Sequence, residues 1–166
     1  MTSAPRPFDT VLVANRGEIA VRVLRAAKES GLRGVAVYSD PDAGSLHVEN
    51  ADQAVHLSGT TLADTYLNGD AIIEAARSTG AQAIHPGFGF LSERADFANA
   101  VKAAGLIWIG PPADAIDTMG DKISARRCMI ESGVPVIPGE EISIGGDSDH
   151  LGVLASAAAR VGYPLL

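Results

Sequence analysis

Residues 10–18 read Thr-Val-Leu-Val-Ala-Asn-Arg-Gly-Glu, a continuous apolar run that is followed at once by polar residues and a glycine. A short, uninterrupted apolar run is typical of a β-strand buried on both faces of a parallel sheet. The next segment has its apolar residues at helical spacing as far as about Ser30, and Gly31 is a usual helix end. This strand, turn and helix predict an α/β fold.

Short apolar runs and amphipathic segments alternate in this way as far as residue 112. Besides 10–14, strands are predicted at residues 34–38, 53–57, 83–85 and 106–109. Helices are predicted between them at about 46–51, 70–79 and 93–104, with Asp70 and Ser92 as N-caps. Such alternation builds β-α-β units, so we predict an open parallel sheet with flanking helices.

The pattern changes after residue 112. Helices are predicted at about 112–119, 121–132 and 149–161, with a strand inside 134–146 and the start of another at Gly162. A buried strand cut after a few residues would lack its partners, so we expect the chain to be truncated at Leu166. The predicted organisation is a flexible tail, a first domain and the start of a second domain, at residues 1–8, 9–112 and 113–166.

The composition excludes several classes of protein. A net charge of −7 argues against a surface for nucleic acid or for an anionic membrane. No apolar run approaches the roughly 20 residues of a membrane span, and we expect a cytoplasmic protein. The single cysteine, Cys128, cannot form an internal disulfide, and the four histidines lack the spacing of metal ligands. No metal site is predicted.

A proline, two glycines and two aromatic residues follow the predicted strand 83–85 within five positions. Glycine adopts backbone angles that other residues avoid, so this loop could bring its backbone close to a ligand at the carboxyl edge of the sheet. The plainer alternative is a tight turn with Phe88 and Phe90 packed into the core. Ser92 is better explained as a helix cap than as a nucleophile, because no nucleophile motif surrounds it.

Lys122 falls in the first turn of a predicted helix, after Gly120 and Asp121. The helix dipole disfavours a cation there, whereas the free backbone N–H groups of that turn attract anions. A lysine that contacts an anion and a solvated lysine paired with Asp121 are both consistent with this pattern. The first strand-to-helix turn holds only Gly17, where a dinucleotide fingerprint needs three glycines, so a nicotinamide or flavin site is excluded.

Five segments occur together in one order and spacing: 13–20, 85–93, 109–111, 119–122 and 161–164. Over essentially residues 8–166 they resemble the biotin carboxylase component of biotin-dependent carboxylases. The resemblance implies a Rossmann-like, pre-ATP-grasp domain followed by the truncated start of an ATP-grasp domain. It also implies an ATP-dependent ligase that uses ATP, Mg²⁺ and bicarbonate to carboxylate biotin on a carrier protein, feeding an acyl-CoA carboxylase.

The resemblance implies roles for individual residues. Lys122 would contact the ATP phosphates, and the loop beside biotin and bicarbonate would comprise His85, Gly87, Phe88, Gly89 and Phe90. Phe88 departs from the family pattern, which usually has tyrosine at this position. The exposed face of the first helix would form a homodimer interface through Arg22, Arg25 and Glu29, unless it is simply a solvated face.

The implied partners are a biotin carboxyl carrier domain and a carboxyltransferase subunit. The catalytic residues and Mg²⁺ ligands of the family would lie beyond Leu166, so we expect these 166 residues to be inactive alone. The shared motifs do not distinguish an acyl-CoA, pyruvate or urea acceptor. Two alternatives stay open: another ATP-grasp ligase, such as a carbamoyl-phosphate synthetase, and a non-catalytic assembly or dimerisation module.

Overall fold

The computed structural model describes residues 6–140, 142 and 150–165. The chain divides into two compact units, Met1–Asp117 and Thr118–Leu166. The domain boundary predicted at residue 112 lies a few residues before this division, and helix α5, which is defined below, crosses it. Each unit is described by itself.

The first unit is built on five parallel strands. They are β1 Thr10–Val13, β2 Arg33–Tyr38, β3 Gln53–His56, β4 Ala83–His85 and β5 Ile107–Trp108. Their order across the sheet is β3-β2-β1-β4-β5, so that β1 lies in the centre. The chain builds outward from β1 in one direction and then crosses to its other side, which is the order of a Rossmann-like sheet. The predicted open parallel sheet is confirmed.

Helices cover both faces of the sheet in the first unit. They are α1 Gly17–Glu29, α2 Leu46–Glu49, α3 Gly69–Thr79 and α4 Ala95–Ala103, followed by α5 Ala113–Gly120, whose first five residues belong to this unit. On one face, apolar side chains of α3 and α4, among them Ile72 and Val101, pack with Leu12 and Ile84 of the strands. On the other face, α1 buries Leu24 and its neighbours against β1 and β2. Burial of these apolar side chains is the main term that stabilises the unit.

The second unit contains helices α6 Lys122–Glu131 and α7 His150–Val161. A connection at residues 132–140 follows α6, and Gly133, with φ +72°, ends that helix as the sequence predicts. Arg126 of α6 donates hydrogen bonds to the carbonyl oxygens of Ile137 and Gly139, at 2.5 and 3.0 Å. Glu140 pairs with Arg160 of α7. These polar contacts tie the connection to both helices.

Two predicted N-caps are wrong. Asn68 rather than Asp70 caps α3, because the helix begins at Gly69 and the Asn68 side chain accepts a hydrogen bond from the Ala71 N–H. Ser92 lies inside a 3₁₀ turn, Phe90–Glu93, and its hydroxyl donates to the carbonyl oxygen of Gly89. Sequence patterns place helix ends less well than helix interiors, because several polar residues near an end compete for the cap.

The strands predicted in the second half of the chain differ from those observed. Strand β5 is shorter than the predicted 106–109, since only two of its residues pair with β4. No strand forms at 134–140 or at 162–165, where nearly all residues are exposed and no neighbouring strand pairs with them. Residues 141 and 143–146, which complete the segment for which a strand was predicted, lie outside the described part of the chain.

Candidate ligand-binding site

The candidate site lies at the carboxyl edge of the sheet, where β1 and β4 pair side by side. Val13 is in register with His85, and the Ala14 N–H donates to the His85 carbonyl oxygen at 2.9 Å. The strand order reverses between β1 and β4, so the loops that leave these two strands diverge to opposite sides of the sheet. Open α/β sheets bind ligands in the crevice at such a switch point.

Asn15, the second residue after β1, joins the two loops. Its side-chain amide donates to the carbonyl oxygens of Pro86 and Phe88, at 2.8 and 3.0 Å. Its Oδ1 accepts a hydrogen bond from the backbone N–H of Arg16 at 3.0 Å. Because Asn15 is only 3% exposed, these bonds are sheltered from competing water.

The loop after β4 requires backbone angles that suit glycine. Gly87 and Gly89 have φ of +75° and +66°, and Phe90 has φ of +51° although it carries a side chain. A Cβ atom at Gly87 would lie 2.5 to 2.7 Å from the side chain of Asn15, so Gly87 also permits a close approach. Positive φ at Phe90 is uncommon and persists only where surrounding contacts fix it.

Phe90 and Phe88 have different surroundings. The ring of Phe90 is half-buried and stacks on the ring of Tyr66, with 5.8 Å between the centroids. Phe88 is 76% exposed, so the plainer alternative, a tight turn with both rings packed into the core, is wrong for Phe88. The exposed ring of Phe88, at the tip of a loop with a restricted backbone, is a surface on which a flat ligand can stack.

His85, the last residue of β4, is half-buried, and its Nδ1 accepts a hydrogen bond from the Gly87 N–H at 3.0 Å. Burial lowers the pKa of His85 below its ordinary value of 6.5, because the charged form loses water. Only an unprotonated Nδ1 can accept this bond, so geometry and burial both favour a neutral imidazole.

We expect the chain to lose stability in acid partly through His85. Since its folded-state pKa is lowered, the unfolded chain binds this proton more readily below pH 6.5, and stability rises with pH through that window. His85→Gln should therefore flatten the fall in urea unfolding free energy between about pH 7.5 and about pH 5. Equal pH dependence in the wild-type and variant chains would contradict this assignment.

A second polar cluster lies beside this loop, centred on the carboxylate of Asp42. It accepts hydrogen bonds from the Tyr66 hydroxyl at 2.6 Å and from the Ser39 hydroxyl at 3.1 Å. Arg16 lies 3.4 Å from the same carboxylate, with its guanidinium 5.6 Å from the centroid of the Tyr66 ring. Burial, and then the bond to Asp42, raises the pKa of Tyr66, so the phenol keeps its proton.

The sequence analysis did not select Asn15, Asp42 or Tyr66 as site residues. Asn15 was placed in a turn without a role, and Asp42 and Tyr66 fall in a loop and in a segment without periodicity. The only available signal was a polar side chain directly after a buried strand, at Asn15. The others become neighbours only when β1, β2 and β4 are assembled.

The residues of the predicted dimer interface lie on the exposed side of α1. Arg22, Arg25 and Glu29 are exposed, as an interface or a solvated face requires. Together with His85 they line an open cavity of about 870 Å³ beside α1. The structure thus brings two predicted sites, the helix stripe and the first residue of the loop, to one surface of the first unit.

Lys122 belongs to the second unit, where it is the first residue of α6 and is exposed. Asp121 is the N-cap, and its carboxylate accepts a hydrogen bond from the Ser124 N–H at 2.8 Å. Hydrogen bonding to Ser124 holds the pKa of Asp121 below its ordinary value. No ion pair within 4.0 Å joins Lys122 to Asp121, because the carboxylate is turned to the helix end.

Within residues 6–140, 142 and 150–165, no group of three or more His, Cys, Asp or Glu side chains could hold a metal ion. No helix in the same part of the chain is long and apolar enough to cross a membrane. Cys128 lies on α6, is partly buried and forms no disulfide.

The sheet order defines a Rossmann-like α/β domain, a class of fold that binds ligands at the switch point of its sheet. Comparison with known families agrees and is more specific. Residues 7–116 match the family described as biotin carboxylase, N-terminal domain. The chain belongs to this family, and the resemblance found in the sequence is confirmed.

Individual relatives are also similar to the chain in sequence. The chain is 49% identical to the mitochondrial methylcrotonoyl-CoA carboxylase subunit alpha of Dictyostelium discoideum, over 97% of the chain and 22% of that protein. It is also 49% identical to the biotin carboxylase of Haemophilus influenzae, over 96% of the chain and 35% of that protein. The chain therefore spans about a fifth to a third of the length of these relatives.

A solved structure also matches. The biotin carboxylase domain of 2-oxoglutarate carboxylase from Hydrogenobacter thermophilus has a TM-score of 0.84 and 41% identity, over 96% of the chain and 34% of that chain. That protein is described as a dimer in complex with MgADP, ADP and bicarbonate. Its acceptor differs from that of the methylcrotonoyl-CoA relative, so the matched region is shared by carboxylases with different acceptors.

Proposed function

We propose that the chain is the N-terminal part of an ATP- and bicarbonate-dependent biotin carboxylase that feeds an acyl-CoA carboxylase. The observation that carries the proposal is the loop at residues 85–90, which presents Phe88 at the switch point of a domain that belongs to this family. In this proposal biotin and bicarbonate bind beside that loop. A methylcrotonoyl-CoA carboxylase relative is consistent with this acceptor, and a urea amidolyase relative with 50% identity is equally consistent with urea.

The exposed ring of Phe88 fits the bicyclic body of biotin, because aromatic faces pack well against flat or apolar groups. The backbone around the Phe88 ring is shaped by His85, Gly87 and Gly89. Phe90 holds the next part of the loop by stacking on Tyr66. Phe88 has no hydroxyl, so any polar contact of biotin at this point must come from backbone groups or from other side chains.

ATP fits the start of α6, where Lys122 is exposed and Asp121 is turned away to cap the helix. A basic side chain beside free backbone N–H groups binds phosphate oxygens. ATP would supply the phosphoryl group that activates bicarbonate. No described residues form a Mg²⁺ site, so Mg²⁺ would depend on groups outside them.

The remaining parts of the proposal concern organisation. We assign residues 9–112 to the pre-ATP-grasp domain and 113–166 to the beginning of the ATP-grasp domain. The proposed partners are a biotin carboxyl carrier domain, a carboxyltransferase subunit and a second copy that contacts Arg22, Arg25 and Glu29. The dimeric state of the 2-oxoglutarate carboxylase domain supports the last of these. A cytoplasmic location stays a prediction, since several relatives are named mitochondrial.

Bicarbonate-dependent ATP hydrolysis with free biotin tests the proposal. We expect activity from a complete chain that contains residues 1–166, and none from these residues alone, because phosphoryl transfer needs several charged groups around the phosphates. Steady turnover by the 166-residue chain would contradict the expected inactivity. A silent complete chain would instead favour an assembly module, for which the exposed stripe and cavity beside α1 are the natural surface.

We expect Phe88→Tyr to keep biotin turnover in the complete enzyme within about twofold of wild type, because the change adds a hydroxyl at an exposed position. Phe88→Ala removes the stacking face and should raise the Michaelis constant for biotin severalfold. Both variants are compared by steady-state kinetics with free biotin. If Phe88→Ala bound biotin as well as wild type, stacking on this ring would be excluded.

A further inference from the structure

We propose that Asn15 is a positioning residue for biotin, because it fixes the backbone of the loop that carries Phe88. This inference rests on the proposed function, since it takes biotin as the ligand of that loop. Asn15 itself lies behind the loop, 3% exposed, and its amide is directed at loop backbone atoms rather than at the open crevice. It acts on the ligand through Phe88.

The side chain of Asn15 makes three hydrogen bonds to the surrounding backbone. The amide of Asn15 has two N–H groups, and they meet the carbonyl oxygens of Pro86 and Phe88. Its oxygen is held by the N–H of Arg16, which sets the orientation of the amide. Every polar atom of the side chain is thus bonded, and two of the bonds cross from the β1 loop to the β4 loop.

Gly87 packs closely against the side chain of Asn15. The Cα of Gly87 approaches so closely that a Cβ there would lie 2.5 Å from Asn15 Nδ2. The carbonyl groups on both sides of Gly87 are the ones that Asn15 binds. A glycine with φ of +75° has many alternative conformations, and these two bonds select one of them.

Phe88 lies between two points at which contacts hold the loop. On its N-terminal side the backbone is held by Asn15, and on its C-terminal side Phe90 stacks on Tyr66. Tyr66 is itself held through its hydroxyl by Asp42. The exposed ring therefore projects from a backbone that is fixed on both sides, which lowers the entropy cost of binding a ligand.

The test uses Asn15→Asp in the complete carboxylase. Aspartate has the same shape and keeps the oxygen that accepts from Arg16, but it places an oxygen against two carbonyl oxygens, so the two crossing bonds become repulsive. Asn50→Asp is the matched control. Asn50 also donates to a backbone carbonyl, that of Leu46 at 2.7 Å, but it is exposed at the end of α2.

In Asn15→Asp we expect the Michaelis constant for biotin to rise roughly tenfold or more, whereas that for ATP stays unchanged. Amide hydrogen exchange across residues 84–92 should be faster than in the Asn50→Asp control. A general loss of structure would change both Michaelis constants together. That result, or loop exchange equal to the control, would overturn the inference.

A failure of the inference can be distinguished from a failure of the proposed function. If the wild-type complete chain shows no biotin-dependent turnover, the proposed function fails, and the hydrogen-exchange comparison still decides whether Asn15 fixes the loop. If Asn15→Asp does not fold, Asn15→Ala replaces it, because alanine removes the two bonds without adding a buried charge. Unchanged loop exchange in a folded Asn15→Ala chain would equally overturn the inference.

Discussion

Gly87→Ala should destabilise the first unit by about 2–4 kcal/mol. A side chain at φ +75° is strained, and the new Cβ would lie 2.5 to 2.7 Å from the buried side chain of Asn15. Because Asn15 is bonded on all sides, it cannot move away without breaking those bonds. Urea unfolding of the wild-type and variant chains, followed by circular dichroism, measures the loss.

Gly80→Ala is the matched control for this prediction. Gly80 ends α3 with φ of +69°, so it has nearly the same backbone strain, but nothing lies within 4 Å of a Cβ placed there. We expect it to cost about 1 kcal/mol, and the excess at position 87 is then due to the contact with Asn15. Equal losses at both positions would show that the loop moves aside, contrary to a fixed connection between the two loops.

Lys122→Ala should raise the Michaelis constant for ATP by roughly tenfold or more in the complete enzyme, with a smaller effect on biotin. The reason is the loss of a charged donor at the start of α6, a helix end that favours anions through its dipole and its backbone N–H groups. Lys102→Ala is the control, because Lys102 is an exposed lysine on α4 of the other unit. Steady-state ATPase kinetics at saturating bicarbonate give the comparison.

An unchanged Michaelis constant for ATP in Lys122→Ala would remove the ATP contact from the proposed function. It would favour the simpler interpretation of a solvated lysine at a helix start. A similar rise in the Lys102 variant would point to a general electrostatic effect of lost positive charge, because a chain with a net charge of −7 repels ATP. Only a rise confined to position 122 supports direct contact with phosphate.

The sequence predicted the sheet well because the patterns that indicate its strands and helices involve only neighbouring residues. The apolar run at β1, the helical spacing of α1 and the glycines at 31 and 80 each depend on a few neighbouring residues. The loop at residues 85–90 was recognised for the same reason, since its glycines lie within one short segment. Local patterns therefore identified the loop, whereas its role as a ligand site stays a prediction.

The contacts that hold the loop were not predicted, because they join residues far apart in the chain. Asn15 meets Pro86 across 71 positions, and Tyr66 meets Asp42 across 24. Neither pair shares a helix face or a strand register, so no periodicity connects them. The N-caps at 70 and 92 failed for a different reason: neighbouring polar residues compete for the same helix end, and small differences in backbone geometry decide between them.

The central position of β1 has a consequence for the way the first unit is made. Strand β1, which is synthesised before the other four strands of this sheet, pairs with β2 soon afterwards, but its other edge stays open until β4, at residues 83–85, has been synthesised. During that interval an apolar strand has unsatisfied backbone groups that another nascent chain could pair with. A cut or a fusion junction between β3 and β4 would make this exposure permanent, so any division of the protein should keep residues 10–85 together.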